Sequence, residues 1–153
     1  MARNTITVNA PPLDVFGVLS DPPGYALWVV GSKAIRGYDE AWPAPGTEFH
    51  HTVGFGPLVT KDRTVVLETD PGRRLLMLVR ALPFMRATVS FTLEADGFGT
   101  RVTMEEHPNG APWEKLWNPI LDTLTMLRNA ETLRRLKRLT EVRAGPVYPG
   151  RTS

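Results

Sequence analysis

At 153 residues, with 42% hydrophobic and 22% charged side chains, the chain has the size and balance of a globular unit and not of a disordered or fibrous one. Its lack of cysteine excludes disulfides, thiolate catalysis and cysteine-bound metal, and a formal charge of +2 is too mild to argue for nucleic acid as a partner. No apolar run approaches the roughly 18 residues of a membrane span, and Met1-Ala2-Arg3-Asn4 leads into a strand pattern instead of a signal peptide, so a cytoplasmic location is expected.

Residues 4–8 alternate, with Ile6 and Val8 on one face, as a half-buried strand does. Pro11-Pro12 suits a helix start, and Val15, Phe16 and Leu19 share one side of that helix. Asp21-Pro22-Pro23-Gly24 breaks it and opens a second short helix carrying Tyr25, Leu27 and Trp28. Strands are then predicted at 34–42, 47–53, 58–68, 74–81, 86–95 and 100–107.

The turns set the register, because a one-residue slip would turn every side chain to the other face. A tight hairpin at Gly54-Phe55-Gly56-Pro57 sets Glu48 opposite Arg63 and His50 opposite Lys61 on the solvated face. Phe49, His51, Val53, Leu58, Thr60, Asp62, Thr64 and Val66 then face inward. Asp70-Pro71-Gly72-Arg73 reads as a type II turn that brings Met77 opposite Val66 and Val79 opposite Thr64. Asp96-Gly97-Phe98-Gly99 pairs Glu94 with Arg101 outside, and Leu93 with Val102, Phe91 with Met104 and Val89 with Glu106 inside. The connection 82–86 must hold an odd number of residues for Val89 and Phe91 to stay inside.

The last element runs from about Pro112 to Ala144, with Asn118-Pro119 as a cap and first turn or a kink. Its apolar residues, Ile120, Leu121, Leu124, Met126, Leu127, Ala130, Leu133, Leu136 and Leu139, make an arc that is broad in the first half and rotates in the second. A helix clasped by a curved sheet and capped by short helices would need that width. Each leucine, if buried, is worth roughly 1.5–3 kcal/mol, so this helix is expected to anchor the fold. The expectation is an α+β domain over residues 1–144, followed by a loosely held tail at 145–153 rich in proline and glycine. In it a curved seven-stranded antiparallel sheet wraps the terminal helix, with the two short helices between the first and second strands.

That order of elements, together with specific local motifs, resembles the START-like (SRPBCC, helix-grip) superfamily, and within it the polyketide cyclase/dehydrase-type group. The residues that carry the likeness are Ala10-Pro11-Pro12 with Val15-Phe16 and Leu19-Ser20-Asp21, Trp28, and Gly46-Thr47 with Phe49. Asp70-Pro71-Gly72-Arg73-Arg74-Leu75, Gly99-Thr100-Arg101-Val102-Thr103 and the leucine pattern of 133–139 complete it. The resemblance covers about residues 3–143 and implies a cavity between sheet and helix that takes an apolar ligand. The superfamily includes carriers, receptors, cyclases, dehydratases, co-chaperone modules and self-sacrificing resistance proteins with no shared catalytic set, so it assigns no catalytic residue.

From the residues themselves, the inward polar group His51, Thr60, Asp62 and Thr64 is the sharpest candidate: His51 is expected beside Thr60 and diagonal to Asp62, and an aspartate near a histidine fixes its tautomer and tunes it for acid–base chemistry. The competing interpretation is a buried cluster that only satisfies its own hydrogen bonds. Glu106, expected among apolar neighbours, is the second candidate; there a carboxyl becomes a proton donor, unless Arg80 or Arg86 pairs with it. Asp62 and Glu106 lie three strands apart, about 14 Å on a flat sheet, too far for a paired acid and base.

His50-His51 is no metal site, because adjacent strand residues point to opposite faces, and no metal or other cofactor is expected. Gly54-Phe55-Gly56 is a turn and not a phosphate loop, and its hairpin is the candidate lid. The basic stretch Arg134-Arg135-Leu136-Lys137-Arg138 reads as a solvated helix face. Tyr25, Trp28, Phe49, Phe55, Met77, Val79, Phe91, Met104, Ile120, Leu124 and Leu127 are the expected apolar lining. Two functions compete: a cyclase or dehydratase acting through His51 with Asp62 or Glu106, and a non-catalytic carrier, sensor or sequestering protein. No exposed apolar stripe is evident, which argues against a protein-partner role; a monomer or homodimer is expected.

Overall fold

The computed structural model describes residues 2–55, 57–80, 86–109 and 119–145, excluding the side chains of 53–55, 58–60, 119 and 121. In chain order the elements are β1 (Ala2–Val8), α1 (Pro12–Leu19), a single turn at Pro22–Gly24, α2 (Tyr25–Trp28) and β2 (Ser32–Tyr38). β3 (Glu48–Phe55), β4 (Leu58–Asp70), β5 (Arg74–Arg80), β6 (Arg86–Asp96), β7 (Gly99–Asn109) and the helix α3 (Pro119–Ala144) follow. The predicted helix start at 112–118, the connection 81–85 and the tail beyond residue 145 lie outside the described residues, and so does Gly56 of the hairpin proposed as a lid.

All seven strands form one antiparallel sheet in the order β1-β7-β6-β5-β4-β3-β2. Hairpins make most of this order, since each of β2 to β7 lies beside its sequence neighbour; only β1 crosses to close on β7. That crossover brings the start of the sheet next to its end and seats α3 against β1, α1 and α2. At the β1–β7 corner a Cβ on Gly99 would come within 2.6 Å of the Val8 carbonyl, so only glycine lets the two backbones approach. Gly72, at φ +76°, supplies the left-handed residue of the Asp70–Arg73 turn, as the Pro-Gly pair predicts.

The inward register of β4 to β7 is as the alternation requires. Val66 pairs with Met77 and Thr64 with Val79; Phe91 pairs with Met104 and Val89 with Glu106. Arg80 pairs with Arg86, which leaves the odd-numbered gap 81–85. Two expectations change. β2 stops at Tyr38 instead of reaching Trp42, because residues 39–47 close into turns (Trp42 N–H to Asp39 O, 3.0 Å; Ala44 N–H to Ala41 O, 2.8 Å) whose prolines have no ladder hydrogen to give. The β3–β4 hairpin is shifted by two residues: Phe55 pairs with Leu58, which leaves Pro57 beyond the last ladder pair. A two-residue shift preserves the faces, so Phe49, His51, Asp62, Thr64 and Val66 stay on the inner side while their partners move; the side chains of Val53, Leu58 and Thr60 lie outside the described residues.

The core gathers Val8, Val15, Leu19, Trp28, Leu75, Phe91, Val102, Leu133 and Leu136. Its contribution from α3 is narrower than expected. The buried face of α3 is Thr125, Asn129, Thr132, Leu133, Leu136 and Thr140, while Ile120, Leu124 and Leu127 are exposed on the opposite side. Polar bonds tie the helix down: Lys137 Nζ donates to Thr7 O at 2.9 Å, Asn9 N–H to Glu141 at 2.8 Å, and Arg143 pairs with Asp21 at 3.1 Å. Leu136→Ala is therefore expected to lower unfolding free energy by about 2–5 kcal/mol and Leu124→Ala by less than about 0.5 kcal/mol, measured by urea denaturation. Equal losses would contradict this assignment of the helix faces.

Candidate functional site

β3 and β4 build the polar end of the inward face. His51 stands directly across from Asp62 and not beside Thr60, and Thr64 is its diagonal neighbour. That diagonal closes a hydrogen bond between His51 Nε2 and Thr64 Oγ1 at 3.1 Å, with both side chains buried. Asp62 is half-buried, and the side chain of Thr60 lies outside the described residues. Arg36 on β2 donates to the His51 carbonyl at 3.3 Å and to the Asp62 carbonyl at 3.2 Å, which binds the three strands at this level.

Burial pushes the His51 imidazole below its usual pKa of 6.5. The Asp62 charge and a backbone hydrogen bond at Arg63 oppose that shift, whereas Arg36 and His50 add to it. Burial thus favours the neutral ring over the imidazolium.

An aromatic group packs around this imidazole. Phe49 lies 5.2 Å from His51 between ring centres, Tyr25 and Trp42 lie 4.9 and 4.7 Å from Phe49, and Trp28 bridges Tyr25 at 4.7 Å to Phe91 at 5.8 Å. The Leu19 carbonyl accepts from Tyr25 Oη at 2.5 Å and from Trp42 Nε1 at 3.3 Å, which fixes both rings. Burial, with Asp21 nearby, pushes the Tyr25 phenol far above its ordinary range, so it stays a neutral donor. Trp42 was not expected here; a tryptophan in the proline-rich run Trp42-Pro43-Ala44-Pro45 is a signal that the segment folds back onto a core.

Of the expected lining, Tyr25, Trp28, Phe49, Met77, Phe91 and Met104 are buried on the inner side and Val79 is half-buried there, whereas Phe55 lies outside the described side chains. Ile120, Leu124 and Leu127 do not join them, because the helix turns another face inward.

Glu106 on β7 faces inward but is not an isolated carboxyl. Its Oε2 accepts from Arg128, in an ion pair, and from Asn129 Nδ2 at 3.0 Å. The partner is Arg128 of α3 and neither Arg80 nor Arg86. Asn129 is fully buried, and Arg128 also donates to its Oδ1 at 3.2 Å. Asn129 was legible in principle, as an amide on the same helical side as Leu133 and Leu136. Nothing in the local pattern announces Arg128. Among the described residues no group of three or more His, Cys, Asp or Glu is placed to hold a metal ion.

An open seven-stranded antiparallel sheet with a long C-terminal helix packed on it defines a helix-grip protein. The chain belongs to the family described as "Polyketide cyclase / dehydrase and lipid transport", which matches residues 2–141. Among solved structures it is similar to the Zhui aromatase/cyclase from Streptomyces sp. R1128 (17% identity, TM-score 0.70, covering 95% of this chain and 98% of that one). It is also similar to the di-domain ARO/CYC StfQ from the steffimycin biosynthetic pathway (16%, TM-score 0.72, 94% of this chain and 51% of that one). A third likeness is to Ara h 8.0201 (14%, TM-score 0.70, 92% and 96%). At these identities the three likenesses speak for the fold alone. A search of curated proteins found no match.

The lowered pKa of His51 makes a pH prediction. The unfolded chain binds this proton more readily than the folded one, so the stability it governs is fully present above about pH 6.5 and falls as pH drops from there toward the depressed folded value. Urea denaturation across that window is expected to show a steeper acid-side loss for the wild type than for His51→Gln; parallel curves would remove His51 as the cause.

Proposed function

We propose that the protein binds a hydrophobic, cyclic or aromatic, polyketide- or lipid-like molecule between the sheet and α3, and acts on it as a cofactor-independent cyclase or dehydratase. The observation that carries this reading is a buried imidazole, hydrogen-bonded to Thr64 and faced by Asp62, at the edge of an aromatic cluster. Membership of a polyketide cyclase/dehydrase family supports it.

In the proposed step His51 takes a proton from the carbon beside a ligand carbonyl, giving an enolate. Thr64 holds the ring in position, and the Asp62 carboxylate stabilises the imidazolium. For dehydration the enolate electrons form the new C=C bond as a β-hydroxyl leaves, and the imidazolium returns its proton to that oxygen to release water. For cyclisation the enolate carbon attacks a second carbonyl, whose alkoxide takes the same proton. Glu106, held by Arg128 and Asn129, acts as a fixed acceptor for a ligand hydroxyl and not as the proton donor.

The second reading is a carrier, sensor or sequestering protein in which the same polar end only orients a ligand carbonyl. The inclusion of lipid transport in the family's description favours keeping it.

A β-hydroxy cyclic ketone such as 3-hydroxy-1-tetralone separates the two, since loss of water yields fluorescent 1-naphthol. The enzyme reading expects turnover that falls about 100-fold or more in His51→Ala and less in Asp62→Asn, with the dissociation constant little changed. Tight binding with no 1-naphthol formed would establish the carrier.

A further inference from the structure

The long helix carries apolar surface that its packing does not use. Ile120, Leu124, Leu127 and Val142 are 71%, 57%, 64% and 78% exposed. At 100° per residue they fall within about 60° of one another, on the side of α3 opposite Asn129, Leu133 and Leu136. The same side also bears Glu131, Arg134, Arg135 and Arg138, and the three arginines are exposed. Glu131 pairs with Arg134 at 2.8 Å and with Arg135 at 3.0 Å, so three guanidinium groups stand against one carboxylate and the face is net positive. From Ile120 to Val142 the stripe is about 33 Å long.

We infer that this face of α3 seats the protein on an anionic lipid surface. Aliphatic side chains interleaved with arginines match a boundary that is apolar below and negatively charged above. The leucines enter the acyl margin while the long arginine side chains spread to the headgroup phosphates. A second copy fits less well: two antiparallel helices centred on the stripe would set Glu131 against Glu131, Leu127 against Arg135 and Leu124 against Arg138. The attachment is peripheral, since no helix among the described residues is long and apolar enough to cross a membrane. It does not depend on what the interior binds.

The full-length protein is tested by sedimentation with vesicles of phosphatidylcholine alone and of phosphatidylcholine with phosphatidylserine. Binding to the anionic vesicles, weakened by salt, is expected, with little on the neutral ones. Leu124→Glu/Leu127→Glu and, separately, Arg134→Gln/Arg138→Gln are each expected to reduce binding about tenfold or more, with circular dichroism and melting unchanged because every altered side chain is exposed. Three results would overturn the inference: no co-sedimentation with either vesicle, wild-type binding by the leucine double variant, or a concentration-dependent dimer that this variant abolishes.

Discussion

The polar end of the interior follows from burying an imidazole. Removed from water, His51 loses the hydration that would support its charged form, and each ring nitrogen facing the core needs a partner. Thr64 supplies one at 3.1 Å, and Asp62 across the strand supplies a charge that keeps the shift in check. In that state the neutral ring is favoured, and the nearby carboxylate is the group that would support a charge on it. Apolar packing alone would not call for this arrangement, since a leucine at position 51 would satisfy the same space without the polar neighbours.

The aromatic group is what holds this residue in place. Phe49 sits two residues before His51 on the same face of β3, and its ring is clamped by Tyr25 and Trp42. Those two rings are in turn fixed by one carbonyl at the end of α1, that of Leu19. The short helices thus do more than cover the sheet. They carry the hydrogen-bonded rings that fill the space beside the imidazole, leaving the orientation of β3 little freedom.

Strand phase was legible in the sequence because alternation has period two and tolerates even errors. The β3–β4 hairpin is displaced by two residues from its expected position, yet His51, Asp62 and Thr64 still face inward. What changed was the pairing, and with it the Thr64 bond, which turn residues alone could not place. The helix was less legible. Ile120, Leu124 and Leu127 have the same period as Leu133 and Leu136, and periodicity does not say which of two apolar arcs a sheet will cover. The discriminating signal lay in the polar residues: Asn129 and the threonines at 125, 132 and 140 share the covered side, whereas Glu131, Arg134 and Arg138 share the open one.

That choice of face has an electrostatic reason. Glu106 enters the inner side on β7 and cannot stay there uncompensated. Arg128 and Asn129 meet it only if α3 rotates so that residue 129 points to the sheet, and this rotation turns Leu124 and Leu127 out. Val30 N–H reaches Thr132 Oγ1 at 3.2 Å, and Asn4 Nδ2 reaches the Met126 carbonyl at 3.0 Å, both consistent with the same rotation. The buried carboxylate and the exposed stripe are therefore linked: pairing one inward charge commits the helix to presenting its leucines outward, where they need another surface to meet.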